Sequence, residues 1–131
     1  MTGVADTRLL LTLEFPSTVE EKKEAENLVQ REIVGRLLAP SIVLTEFIKI
    51  AGPRIGKDGA KTRLRLLVER GMRVVPLEEA EAMAAGDLLL SHPDVPTADA
   101  LIGSFVKTRA AEHVVTDDPH YESLGIKTRW F

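Results

Sequence analysis

The chain contains no cysteine, which excludes disulfides and thiolate metal sites and is compatible with a reducing compartment. Aromatic residues are scarce, at 5%. Trp130 and Phe131 read as packing or dimer contacts before they read as base-stacking groups. Long hydrophobic runs are missing too. No segment approaches the roughly 18 consecutive apolar residues that a membrane span needs. Asp6 and Arg8 interrupt the only apolar stretch near the N-terminus, so no signal peptide is expected. Nor is there an excess of positive charge. A formal net charge of -3 argues against nucleic-acid binding through overall charge, but not through a local basic patch around an acidic centre. What remains is 131 residues, 44% hydrophobic and 28% charged. That composition predicts one folded domain over 1–131, soluble and cytoplasmic.

The stretch from Val4 to Phe15 is rich in Leu and Thr and ends at Pro16, which suits a short strand turning into a helix or loop. From Ser17 or Thr18 a capped helix is expected, with acids in its first turn. Its apolar side is Val19, Ala25, Leu28, Val29, Ile33 and Leu37. A second helix starts at Pro40-Ser41 and stops at Gly52-Pro53, with Val43, Phe47 and Ile50 as a core-facing stripe. A loop with Gly56 and Gly59 leads to a helix closed by Gly71. "MRVVPL" is a strand candidate and "EEAEAMAAGDLLLSH" a helix of good formers. Thr97 caps a further helix with Leu101, Ile102 and Phe105 facing the core. "HVVT" and "IKTRWF" close the chain as strands. Short apolar strands separated by helices predict an α/β domain with a mainly parallel sheet.

Most of the 20 acidic residues lie in charge-mixed helices and read as solvated surface. Asp6, Glu46, Asp99 and the Asp117-Asp118 pair differ, because each borders apolar sequence at a strand end or on a helix. Each also has a plainer reading. Asp6 suits a turn, Glu46 the edge of the core, Asp99 a helix N-terminus, and Asp117 or Asp118 an Asx-turn before Pro119. In an open α/β sheet, however, strand ends and the helix starts that follow them converge on one crevice. Carboxylates at about 4 Å repel by roughly 4 kcal/mol at an effective dielectric of 20, so convergence requires raised pKa values or a cation. Oxygen donors favour Mg²⁺ or Mn²⁺ over zinc.

With "ADTRLLL", "PSIVLTEFIKIA", "TADALIGSF" and "VVTDDPHY" in that order, the chain resembles the PIN domain, the metal-dependent ribonuclease fold of VapC-type toxins. The resemblance spans nearly the whole chain. It implies a three-layer α/β/α sandwich with a mainly parallel central sheet and endoribonuclease activity. It also implies Mg²⁺ or Mn²⁺ held by the catalytic acids Asp6, Glu46, Asp99 and Asp118. Asp117 is then the substitute ligand, and Thr7 and Thr116 support the acids. The implied partners are an RNA substrate, a small antitoxin and a second copy of the chain. Two alternatives stay open: a PIN-type nuclease of RNA processing without an antitoxin, and a non-catalytic module in which Arg8 neutralises the acids.

The densest basic stretch, with Lys57, Lys61, Arg63 and Arg65, is either a solvated helix of mixed charge or an RNA-binding rim. His120, two residues past Asp118, is close enough for a general acid but reads first as an idle loop histidine. His92 and His113 give no signal.

Overall fold

A computed structural model describes all 131 residues. In chain order the elements are β1 (Gly3–Ala5), α1 (Thr7–Glu14), α2 (Val19–Gly35), β2 (Leu37–Pro40), α3 (Ser41–Ile55) and α4 (Lys57–Arg70). They continue as β3 (Arg73–Val75), α5 (Glu79–Ser91), α6 (Thr97–Lys107), β4 (His113–Val115), α7 (His120–Ser123) and β5 (Thr128–Arg129). The strands form one sheet in the order β3-β2-β1-β4-β5, parallel throughout. Helices cover it on both faces, which is why the central strands β1, β2 and β4 are buried at every position instead of alternating. Val4, Ala5, Leu37, Ala39, Val114 and Val115 are fully buried. This is the α/β/α architecture expected from the sequence.

The chain winds outward from β1 through β2 to β3, then crosses back to place β4 on the other side of β1. The winding direction reverses between β1 and β4, and the ends of those two strands frame the crevice where such sheets bind ligands. Register pairs Gly3 with His113 and Ala5 with Val115, so Asp6 and Thr116 leave the sheet side by side.

Several expected elements shift. The leucines after Asp6 form a helix, α1, and the strand is confined to Gly3–Ala5; Leu9 and Leu10 are buried on one helical face. A short apolar run fits either structure by periodicity, and the Asp6 cap decides. The helix expected from Ser17 or Thr18, α2, ends at Gly35, and Leu37 belongs to β2, because pairing with β1 and β3 outweighs the helical spacing it also satisfies. On α2 the buried set is Ala25, Leu28, Val29 and Glu32, while Val19 is exposed. Helix α3 runs past Pro53 to Ile55, and its buried stripe is Val43, Phe47 and Ala51 at steps of four; Ile50 faces outward. Gly56, at φ 81°, is the whole junction to α4, so Gly59 is helical. Pro96, not Thr97, holds the cap position of α6, and Leu101 there is half-buried beside the buried Ile102 and Phe105.

At the end of the sheet opposite Asp6, the Glu32 carboxylate meets the His113 ring. Both are buried, with Glu32 Oε2 3.1 Å from His113 Nε2 and 3.7 Å from Arg129 Nη1. A Cβ on Gly3 would lie 2.7 Å from that nitrogen, so β1 approaches the pair closely enough to require glycine. Truncating Glu32 would strand a buried ring nitrogen beside a cavity. Glu32→Ala is therefore expected to lower unfolding free energy by about 2–3 kcal/mol in urea titrations.

Candidate active site

Asp6 ends β1 and caps α1. Its backbone is extended (φ -86°, ψ 156°), and Oδ1 accepts the Thr7 N–H at 2.8 Å. Its other oxygen accepts the Thr116 hydroxyl at 2.7 Å. Both oxygens are thus fixed by strand-end neighbours while the residue is only 3% exposed. Burial raises the Asp6 pKa to about 6; the charges of Asp99 and Asp118 add to the rise, and the bonds from Thr116 and Thr7 oppose it.

The two threonines extend the network outward. Thr7 donates its hydroxyl to Glu46 Oε1 at 2.6 Å, tying the middle of α3 to the end of β1. Thr116 accepts the Asp118 N–H at 3.0 Å, which turns the chain after β4 so that the Asp118 side chain faces back toward Asp99. Asp118 Oδ1 then accepts the His120 N–H at 2.9 Å and opens α7. His120 Nδ1 lies 3.0 Å from both Asp99 Oδ2 and Asp118 Oδ1.

Asp6, Glu46, Asp99 and Asp118 are therefore brought to one place from β1, α3, α6 and the loop after β4. The pKa of Asp99 is raised, first by burial and then by the Asp118 charge, with Glu46 adding to it. That of His120 is raised chiefly by Asp118. Ligand atoms of Asp99, Asp118 and His120 lie within 4.8 Å of one another. The set fits a hard divalent cation: its donors are carboxylate oxygens with one imidazole, and the raised carboxyl pKa values are what a positive charge would reverse. Tyr121 lies fully buried beside these acids, its hydroxyl without a hydrogen-bond partner. Burial, followed by the Asp6 charge, raises its pKa.

Asp117 is not brought to this centre. Arg8 grips its carboxylate with two bonds, Nε to Oδ1 at 2.8 Å and Nη2 to Oδ2 at 2.9 Å, and those bonds lower the Asp117 pKa. Arg8 is thereby occupied by the one neighbouring acid that stands outside the cluster. The basic residues of α4 do not form one rim. Lys57, Lys61 and Arg65 follow each other at steps of four, whereas Arg63 points away and binds Glu14 at 3.0 Å. Lys61 and Arg65 border a cleft between α3 and α4 lined by Leu44, Ile48, Leu64 and Val68.

The sequence favours an idle reading of His120 over a general acid and does not single out Tyr121. The signal for His120 was its place two residues after an Asx-type aspartate, where the turn folds a side chain back. That Asp99 waits there is visible only once α6 is docked.

Because the Asp6 pKa is raised on folding from its ordinary 3.8, its contribution to stability is present below that value and is lost as pH rises through about 6. A divalent ion should reverse this. The rise in melting temperature produced by Mn²⁺ is expected to be large near about pH 7.5 and to fade as pH drops through the Asp6 pKa. Thr116→Val, which removes a bond favouring the ionised form, should move that midpoint upward; calorimetry at several pH values reads both effects.

The PIN domain family model matches residues 4–127. Among solved structures, one of VapBC2 from Rickettsia felis bound to a promoter DNA fragment is similar over 100% of both chains, with TM-score 0.80 and 16% identity. VapC20 of Mycobacterium tuberculosis, described as a sarcin-ricin loop cleaving toxin, is similar over 95% of this chain and 96% of that one, with TM-score 0.78 and 15% identity. DNA-bound VapBC of Salmonella typhimurium gives TM-score 0.72 at 21% identity over 98% and 97%. Among curated proteins, no sequence matches this one. With a family model covering nearly its whole length and the fold to go with it, this chain belongs to the PIN domain family.

Proposed function

We propose that this protein is a Mg²⁺- or Mn²⁺-dependent endoribonuclease and the toxin of a toxin–antitoxin pair. The observation that carries the reading is the meeting of Asp6, Glu46, Asp99 and Asp118 at the reversal point of the sheet, joined through Thr7, Thr116 and His120. Similar folds in VapBC complexes and in a toxin that cleaves the sarcin-ricin loop support the substrate class and the partner. The non-catalytic alternative needs Arg8 to neutralise these acids; the hydrogen bonds of Arg8 go to Asp117, and the charges of Asp6 and Asp118 act on it only as smaller contributions.

Asp6, Glu46, Asp99 and Asp118 would hold the ion, with His120 at its edge. When bound, the ion supplies an activated water and a positive charge for the leaving oxygen of the phosphodiester. The chain's own work is orientation. Thr7 and Thr116 fix the carboxylates of Glu46 and Asp6, so one lone pair on each bonded oxygen is committed before substrate arrives. The Thr116–Asp118 turn holds Asp118 toward Asp99, and His120 bridges those two acids. Such prearrangement avoids reorganisation during the reaction. An antitoxin segment would cover the apolar cleft between α3 and α4, and Met83 and Leu90, exposed on α5, would meet a second copy.

Purified protein is expected to cleave structured RNA with Mn²⁺ or Mg²⁺ and to stop on addition of EDTA. Asp99→Asn and Asp118→Asn should each reduce cleavage by about a hundredfold or more, beyond the effect of losing a supporting residue. Asp117→Asn should cost far less, because its carboxylate serves Arg8. Equal losses at Asp117 and Asp118, or no metal-dependent cleavage, would count against the assignment.

A further inference from the structure

A second cavity adjoins the acidic centre, and nothing in the chemistry above uses it. It measures about 330 Å³ and is walled by α1, the end of α3, Asp117 and Trp130. From α1 come Arg8, Leu11 and Thr12, at spacings that put them on one helical face, and from its C-cap comes Phe15. From α3 come Ile50 and Arg54, which continue at steps of four from Glu46 in the carboxylate cluster. At 1.5 Å per residue, Arg54 sits roughly 12 Å along the helix from Glu46. The cavity therefore begins beside the centre, at Arg8 and Asp117, and leads away from it.

Its chemistry differs from that of the centre. The Arg54 guanidinium lies 3.8 Å from the centroid of the Phe15 ring and makes no ion pair. Neither acid of the cavity bonds Arg54: Asp117 is paired with Arg8, and Glu21 Oε1 accepts the Ser17 N–H at 2.9 Å. Arg54 is thus a cation held in place by an aromatic face and free to take an anion. The half-buried Trp130 stacks on Phe131 with ring centroids 4.8 Å apart and lines the same cavity. An oriented arginine and an indole lining one cavity are the groups that bind a single-stranded nucleic acid, phosphate on one and base on the other. The volume lies at the low end for ligand sites, enough for one nucleotide and not for a duplex.

We propose that this cavity is the subsite for a nucleotide flanking the scissile phosphodiester, with its base against Trp130 and its phosphate on Arg54. The assignment rests on the nuclease reading above for the direction of the strand, but its binding chemistry stands apart from the metal centre. Arg8 and Asp117, locked together, form the divider between the two.

Trp130 is the only tryptophan, so its emission reports directly on the subsite. The probe is a single-stranded RNA of about eight nucleotides, within the span such grooves take, titrated into Asp99→Asn protein to prevent cleavage. Labelled-RNA anisotropy is followed in parallel. The expected result is quenching of Trp130 in step with binding, a Kd raised about tenfold by Arg54→Ala, and partial rescue by Arg54→Lys. In protein with Asp99 intact, Arg54→Ala should raise KM for cleavage far more than it lowers kcat. Melting curves for both Arg54 variants identify any loss of folding, and Arg54→Lys keeps the test valid if the alanine variant melts early. RNA that binds without quenching and with the same Kd for Arg54→Ala, or RNA that does not bind at all, would overturn the subsite. Quenching and binding without any metal-dependent cleavage would instead remove the nuclease reading and leave the subsite standing.

Discussion

The hydrogen bond from the Thr116 hydroxyl to Asp6, 2.7 Å long, joins residues 110 apart in the chain. It exists because β1 and β4 are parallel neighbours in register, Ala5 beside Val115, and both leave the sheet at the same edge. The rest of the centre hangs on that pairing. Asp6 caps α1 and so presents Thr7 to Glu46, while Thr116 turns the next loop and so presents Asp118 to Asp99. Each polar group at the edge serves both the backbone and its neighbour, which is how a buried carboxylate is tolerated where few waters reach.

The electrostatics follow from the same constraint. Parallel strands buried on both faces leave Asp6 almost without solvent, and burial is the largest cause of its raised pKa. Asp99 feels burial and then Asp118. Nearby, Asp117 has the opposite fate, because one residue further back in the turn it meets Arg8 at the surface. Two adjacent aspartates of one sequence thus sit in two environments: one faces the cluster, the other balances a cation. The acidic centre and the more basic cavity beside it are separated by this single pair.

Much of the fold was legible in the residues. Helical stretches such as Glu79–Ser91 and Thr97–Lys107 announce themselves through good formers and apolar spacing, and "HVVT" reads as a strand. Short apolar runs did not. "RLLLTL" and "LLAP" fit either secondary structure by pattern, and one became a helix because Asp6 caps it, the other a strand because β1 and β3 flank it. Ile50 looked like core by spacing, yet the stripe of α3 turned by one position to bury Ala51, since Val43 and Phe47 define its axis at steps of four. At the centre, the acids stood out by their apolar surroundings. His120 carried only its place two residues after Asp118, and docking of α6 decides whether its ring reaches Asp99 or water.

By itself, then, the sequence determined the chemistry available: oxygen donors without thiols, four acids beside apolar segments, strands too apolar for anything but a covered parallel sheet, and helices between them. Tertiary structure decided which groups meet. Strand order placed Asp6 against Thr116, docking of α6 brought Asp99 to Asp118 and His120, and the turn after β4 divided Asp117 from Asp118. The physical reason is range. Capping, periodicity and composition act over a few residues and are written locally, whereas the field at a carboxylate is set by charges from distant segments that only folding brings within reach.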